Sequence, residues 1–158
     1  MKRSFGYGLA YLSIGLGVVG LTQGGVFTWL LPIYAFVVIP ILELLVPFSE
    51  ENLTKEEEKE RLNNKWYDLI VYMIVPLQWG LLVLFLFSMQ EELLVYEIVG
   101  RVVTFGLACG VFGINVAHEL GHRTKKYEQW MSKALLLTSQ YMHFFIEHNR
   151  GHHVKVAT

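Results

Sequence analysis

The chain has 158 residues, of which 53% are hydrophobic and only 17% charged, and its formal net charge is −1. Soluble domains carry nearer a quarter charged residues, and a net charge this close to zero offers nucleic acid or an acidic surface nothing to bind. One cysteine, Cys109, excludes an intrachain disulfide and any cysteine-held zinc or iron–sulfur site within this chain.

Four apolar segments follow in chain order, near Phe5–Thr22, Val26–Pro47, Tyr67–Met89 and Tyr96–Ala117. Each approaches the ~20 residues that cross a bilayer's hydrocarbon core. The sequence therefore predicts an all-α, multi-pass membrane helical bundle of about four transmembrane helices. A soluble bundle would have to hide helices that are apolar on every face. Gln23-Gly24-Gly25 makes a hairpin between the first pair, Glu50 to Lys65 a charged loop, and Gln90-Glu91-Glu92 the start of the third turn. Pro32, Pro40 and Pro76 lie inside spans, where neighbouring helices can satisfy the freed carbonyls. No small-x-small site with a polar sequel follows Lys2-Arg3, so no cleavable signal peptide is expected.

Basic residues set the expected orientation. With the N-terminus cytoplasmic, the inner segments hold Lys2, Arg3, Lys55, Lys59, Arg61, Lys65, Arg123, Lys125, Lys126, Lys133, Arg150 and Lys155. The outer turns hold none, and Arg101, near the outer end of span four, is expected to snorkel to the interface. Beyond span four, Tyr127, Trp130 and Met131 share a helical face, while Lys133, Thr138, Ser139 and Gln140 interrupt the apolar run. That pattern predicts a cytoplasmic interfacial or re-entrant helix rather than a further crossing.

Five of the six histidines fall in two clusters, His118-Glu119-Leu120-Gly121-His122 and Glu147-His148-Asn149-Arg150-Gly151-His152-His153. On a helix, His118 and His122 stand one turn apart on one face, as do His148 and His152, with His153 about 100° further round. Paired imidazoles at this spacing suit a metal ion. The first cluster also satisfies the zinc-protease pattern, with Glu119 as general base. Intramembrane proteases of that kind add an aspartate from a later span, whereas the one aspartate here, Asp68, opens span three. A metal-binding transporter or sensor is a further alternative, but polar residues are sparse in the spans, with Gln78 nearly alone at mid-depth. Glu43 and Asn115, near the cytoplasmic ends of spans two and four, are polar candidates to support the site.

From Asn115 to Thr158, "HELGH", "FFIEHNRGHH" and the closing "VAT" resemble the integral-membrane alkane 1-monooxygenases, or alkane hydroxylases. These belong to a histidine-rich group that includes xylene monooxygenase and the membrane fatty-acid desaturases; a desaturase or related hydroxylase is the neighbouring alternative. The resemblance implies an oxidoreductase of the cell inner membrane that hydroxylates a terminal carbon of medium- or long-chain n-alkanes to primary alcohols. It implies O₂ as oxidant, rubredoxin with its reductase as electron donor, and two iron ions in the complete protein. The matching ligands are His118, His122, His148, His152 and His153. His143 matches no ligand position; like Glu119 and Glu147, it is a candidate to hydrogen-bond around the ligands. Trp29, Tyr34, Phe36, Trp79 and Phe105 are candidates to line an alkane passage, with helix packing as their commoner role. Members of the group carry a further histidine box after additional helices, so residues 1–158 are expected to form the N-terminal part of one di-iron hydroxylase domain, short of ligands.

Overall fold

The first helix, α1 (Ser4–Thr22), is apolar along its length and closes with the Thr22 hydroxyl donating to the Val18 carbonyl at 2.8 Å. The computed structural model describes residues 4–45 and 65–148, with side chains from residue 11. Most of the charged loop from Glu50, the predicted span end at Pro47, and both His152 and His153 lie outside the described residues. After α1 the chain reverses at Gly25, whose φ of +67° is open to glycine without steric cost. The Gly25 N–H donates to the Glu97 carboxylate, fastening this hairpin to the start of the fourth helix.

Three further long helices follow: α2 (Gly25–Leu45), α3 (Lys65–Ser88) and α4 (Val95–His122), of 21, 24 and 28 residues. All three are long and apolar enough to cross a membrane, and α1 contributes the apolar stretch Tyr11–Thr22. Their outward residues include Phe36, Leu44, Phe87 and Val102, as expected of helices whose surroundings are apolar. Both α2 and α4 contain a widened turn, at Tyr34–Val38 and Cys109–Ile114. There an N–H reaches five residues back, Ile39 to Tyr34 and Asn115 to Gly110. The first of these immediately precedes Pro40, which has no N–H to give.

One buried cluster joins the bundle: Ile14 and Leu21 of α1, Ile74 and Leu81 of α3, Ala108, Phe112, Ala117 and Leu120 of α4, and Leu135 and Leu136 beyond it. Phe105 stacks on Phe85 at 4.6 Å between ring centres. At the end away from the histidines, α2 presses so closely on α4 that a Cβ at Gly100 would fall 2.5 Å from the Thr28 hydroxyl. Thr104 donates to the Thr28 carbonyl at 2.8 Å in the same contact.

Arg101 departs from expectation. It is 1% exposed; it donates to the Ser88 carbonyl and pairs at 2.9 Å with Glu91, whose side chain is 60% exposed in the turn after α3. Its charge is therefore compensated at the end of the bundle by a carboxylate that reaches solvent.

The fourth helix also runs past the predicted end of its span and carries His118 and His122 on its last turns. Arg123 leaves α4 in an extended conformation, and α5 (Lys126–Thr138) begins almost at once. Thirteen residues make a helix of ~20 Å, too short to cross ~30 Å of hydrocarbon. It ends in a paired cap: Tyr141 N–H donates to the Leu136 carbonyl at 2.9 Å and Gln140 N–H to that of Leu137 at 3.1 Å. Gln140 occupies the left-handed position of this cap, with φ 56°. The chain thus turns back within a few residues, and α6 (His143–Ile146) brings His148 to the end of α4.

Candidate metal centre

Ala117, Leu120 and Gly121 form the buried side of the last turns of α4, leaving His118 and His122 on the outer side. Gly121 permits the close approach of α5 and α6: a Cβ there would stand 3.2 Å from the Ser132 hydroxyl and 3.5 Å from the Phe145 ring. Ser132, fully buried, donates to the Ala117 carbonyl at 2.6 Å. Phe144 lies nearly parallel to the His148 ring, 4.9 Å between centres and 17° apart in plane. Only a crevice of about 10 Å³, lined by these residues, separates the imidazoles from their support, scarcely room for one water.

The three imidazoles converge through the same atom. His118 Nε2 lies 2.8 Å from His148 Nε2, and His122 Nε2 lies 3.1 Å from each. A neutral imidazole nitrogen either carries a proton or offers a lone pair. Around a triangle at least two neighbours must therefore present the same kind, so hydrogen bonding cannot satisfy all three contacts. A cation at the centre of the triangle's open side does. With metal–nitrogen bonds of ~2.1 Å, His118, His122 and His148 could all reach one ion.

Glu119 does not face this triangle. Its carboxylate, 62% exposed, lies 3.5 Å from Arg123 Nε. His143 sets its ring edge-on to Tyr141 at 4.6 Å, and Glu147, Asn115 and Glu43 are exposed. Asn115 shares the helical face of His118 and His122 by spacing, whereas Glu43 stands on the last turn of α2. The aromatic candidates take packing and surface positions: Trp29 donates to the Tyr96 carbonyl at 3.2 Å, Phe36 is 67% exposed, Tyr34 is buried and Trp79 half-buried.

Several residues that shape the site escape sequence reasoning. Arg123 Nη1 donates to Asp68 Oδ1 at 2.6 Å and to Glu128 Oε1 at 2.9 Å. Burial works against the Arg123 charge, but these hydrogen bonds outweigh it and hold the guanidinium above its ordinary value. Burial likewise pushes the Glu128 carboxyl up, while hydrogen bonds from Tyr72 and Arg123 pull it further down, leaving it below the usual range. A lone aspartate opening an apolar span and a glutamate on an amphipathic helix were the available signals, but only the packing makes them partners.

No family model matches the chain. Curated relatives do. It is 34% identical over 148 residues to the alkane 1-monooxygenase of Pseudomonas putida, covering 92% of this chain and 36% of that protein. It is 29% identical over 146 residues to alkane 1-monooxygenase 1 of Alcanivorax borkumensis, with the same two shares, 92% and 36%. With alkane 1-monooxygenase 2 of Pseudomonas aeruginosa it shares 30% over 169 residues, 99% of this chain and 44% of the relative. Across at least nine-tenths of its length in these three comparisons, this membrane-helical chain is homologous to the alkane 1-monooxygenases, and it spans less than half of theirs.

Proposed function

We propose that this chain supplies part of the active site of a membrane oxidoreductase that hydroxylates the terminal carbon of medium- or long-chain alkanes to primary alcohols. The observation that carries the reading is the triangle of His118, His122 and His148 Nε2 atoms, 2.8–3.1 Å on edge, assembled from two helices at one end of a membrane bundle. An all-imidazole donor set would suit iron. His118, His122 and His148 would hold one ion, and His152 and His153 complete the ligand set this chain offers to a di-iron centre. Bound iron supplies O₂ activation and the one-electron chemistry needed to break an unactivated C–H bond.

The protein's own residues orient the imidazoles, through the Ser132 hydrogen bond behind His118 and the Phe144 ring against His148. Electrons would come from rubredoxin with its reductase, as the resemblance implies. The distribution of lysines and arginines supports an N-terminus and both histidine clusters on the cytoplasmic side, and the resemblance implies the cell inner membrane. A zinc protease would need Glu119 at the metal, and the Arg123 pairing draws it elsewhere.

The test is turnover of n-octane under ¹⁸O₂ by membranes carrying the full protein, with rubredoxin and its reductase supplied. Labelled 1-octanol, lost in His122→Ala together with iron, is the expected result. Peptide cleavage, or double-bond insertion into acyl chains without alkanol, would overturn the reading.

A further inference from the structure

The last turns of α4, which present His118 and His122, are fastened at both ends. Before His118, the Ala117 carbonyl accepts the buried Ser132 hydroxyl of α5 at 2.6 Å. After His122, Arg123 turns out of the helix and bridges two other elements through a single nitrogen. Its Nη1 gives one hydrogen to Asp68 of α3 at 2.6 Å and the other to Glu128 of α5 at 2.9 Å, while Nε faces Glu119 at 3.5 Å. Glu128, 2% exposed, also accepts the Tyr72 hydroxyl from α3, and Gln129 Nε2 donates to the Arg123 carbonyl at 3.0 Å. Three helices therefore meet on one guanidinium, next in sequence to His122.

Along the chain His148 follows α5 and the cap at Gln140, so the offset between α4 and α5 bears on the distance from His148 to the other two imidazoles. Metal–ligand bonds tolerate only about ±0.2 Å. We infer that Arg123 is a positioning residue of the metal centre, whose bridge between Asp68 and Glu128 holds the helix end bearing His118 and His122 in register with His148. This inference rests on the metal-centre reading above. A planar fork suits such a bridge because it fixes direction as well as charge, whereas a lysine ammonium at the same place keeps the charge and loses the fixed angle.

Co(II) binding to the full chain in detergent or nanodiscs tests it, read as dissociation constant and as ligand-field spectrum, with far-UV helicity and the unfolding midpoint as controls. Arg123→Met is expected to weaken Co(II) by about 10–100-fold, the usual cost of losing an outer-shell partner, and to shift the ligand-field bands at unchanged helicity. Arg123→Lys should restore part of the affinity without restoring the wild-type spectrum. Where Arg123→Met does not fold, Glu128→Gln, which keeps shape and leaves the Asp68 bond, carries the same expectation in smaller degree. Wild-type affinity and spectrum in these variants would overturn the positioning role alone. No Co(II) binding by the wild-type chain, or binding unaffected by His118→Ala, would overturn the metal-centre reading and the inference with it.

Discussion

Gly121 tests how closely the metal-bearing helix must sit on α5. An added methyl would meet the Ser132 hydroxyl at 3.2 Å and the Phe145 ring at 3.5 and 3.6 Å. Ser132 cannot yield freely, because its hydroxyl is fully buried and bonded to the Ala117 carbonyl. Losing that bond leaves a buried polar group unsatisfied, at a cost of about 1–3 kcal/mol. Replacing a glycine by alanine inside a helix gains up to about 1 kcal/mol, and less in a last turn such as that of Gly121. Gly121→Ala therefore comes out between neutral and ~2 kcal/mol destabilising. Gly121→Val forces further methyls into the same contact, adds an overpacking cost of about 1–3 kcal/mol, and should destabilise by about 1–5 kcal/mol. Thermal unfolding followed by far-UV circular dichroism in one detergent ranks the series. Ser132→Ala combined with Gly121→Ala should cost less than the sum of the two, since the first removes the atom that the second strikes. A valine variant as stable as wild type, or strict additivity in the pair, would refute the packing argument.

At the other end of α4, Gly100→Ala would drive a Cβ to 2.5 Å from the Thr28 hydroxyl and 2.9 Å from Trp29 Nε1; a loss of about 1–3 kcal/mol is expected in the same unfolding assay. Gly106→Ala, with nothing within 4 Å, should instead be neutral or stabilise by up to ~1 kcal/mol. Gln140 holds a left-handed φ of 56° in the α5 cap, so Gln140→Gly is expected to raise stability by about 1 kcal/mol, and a lowered unfolding midpoint would contradict the cap assignment. Glu128 titrates below its ordinary 4.5 in the folded protein, so its contribution to stability is full above that value and is lost as pH falls through the folded value. The unfolding midpoint of wild type should drop on acidification below about pH 4.5, and Glu128→Gln should show a shallower acid limb; parallel limbs would exclude this carboxylate as a contributor.

Apolar periodicity and length made the helical fold legible: the predicted third span, Tyr67–Met89, differs from α3, Lys65–Ser88, by two residues at one end and one at the other. Histidine spacing likewise placed His118 and His122 on one face, and the polar interruption around Ser139 marked the return of the chain. What the sequence withheld was partner choice. Arg101 looked like an interfacial cation because its compensation, the Ser88 carbonyl and Glu91, lies across a turn that brings the end of α3 beside it. Arg123, Asp68 and Glu128 are scattered over sixty positions as ordinary charges, and only packing of α3, α4 and α5 makes them one group. The tight approach at Gly121 is invisible to composition, since a glycine between two histidines reads equally as a weak point in a helix.

The widened turn at Cys109–Ile114 bears on the histidines without touching them. It accommodates one residue more than a regular turn, and one residue is worth about 100° of rotation about the helix axis. Upstream, Gly100, Thr104 and Ala108 are buried at four-residue spacing, which Phe112 continues; Gly113, buried beside Phe112, passes the same spacing on to Ala117 and Gly121. The turn thus acts as a dial between two halves of one helix, each keeping its own angular setting. Cys109, Phe112 and Gly113 within it are themselves buried. Deleting one residue there would let the turn close to a regular one with both halves keeping their faces, whereas deleting one from the regular turn that follows, between Asn115 and Ala117, would swing His118 and His122 by about 100° away from His148.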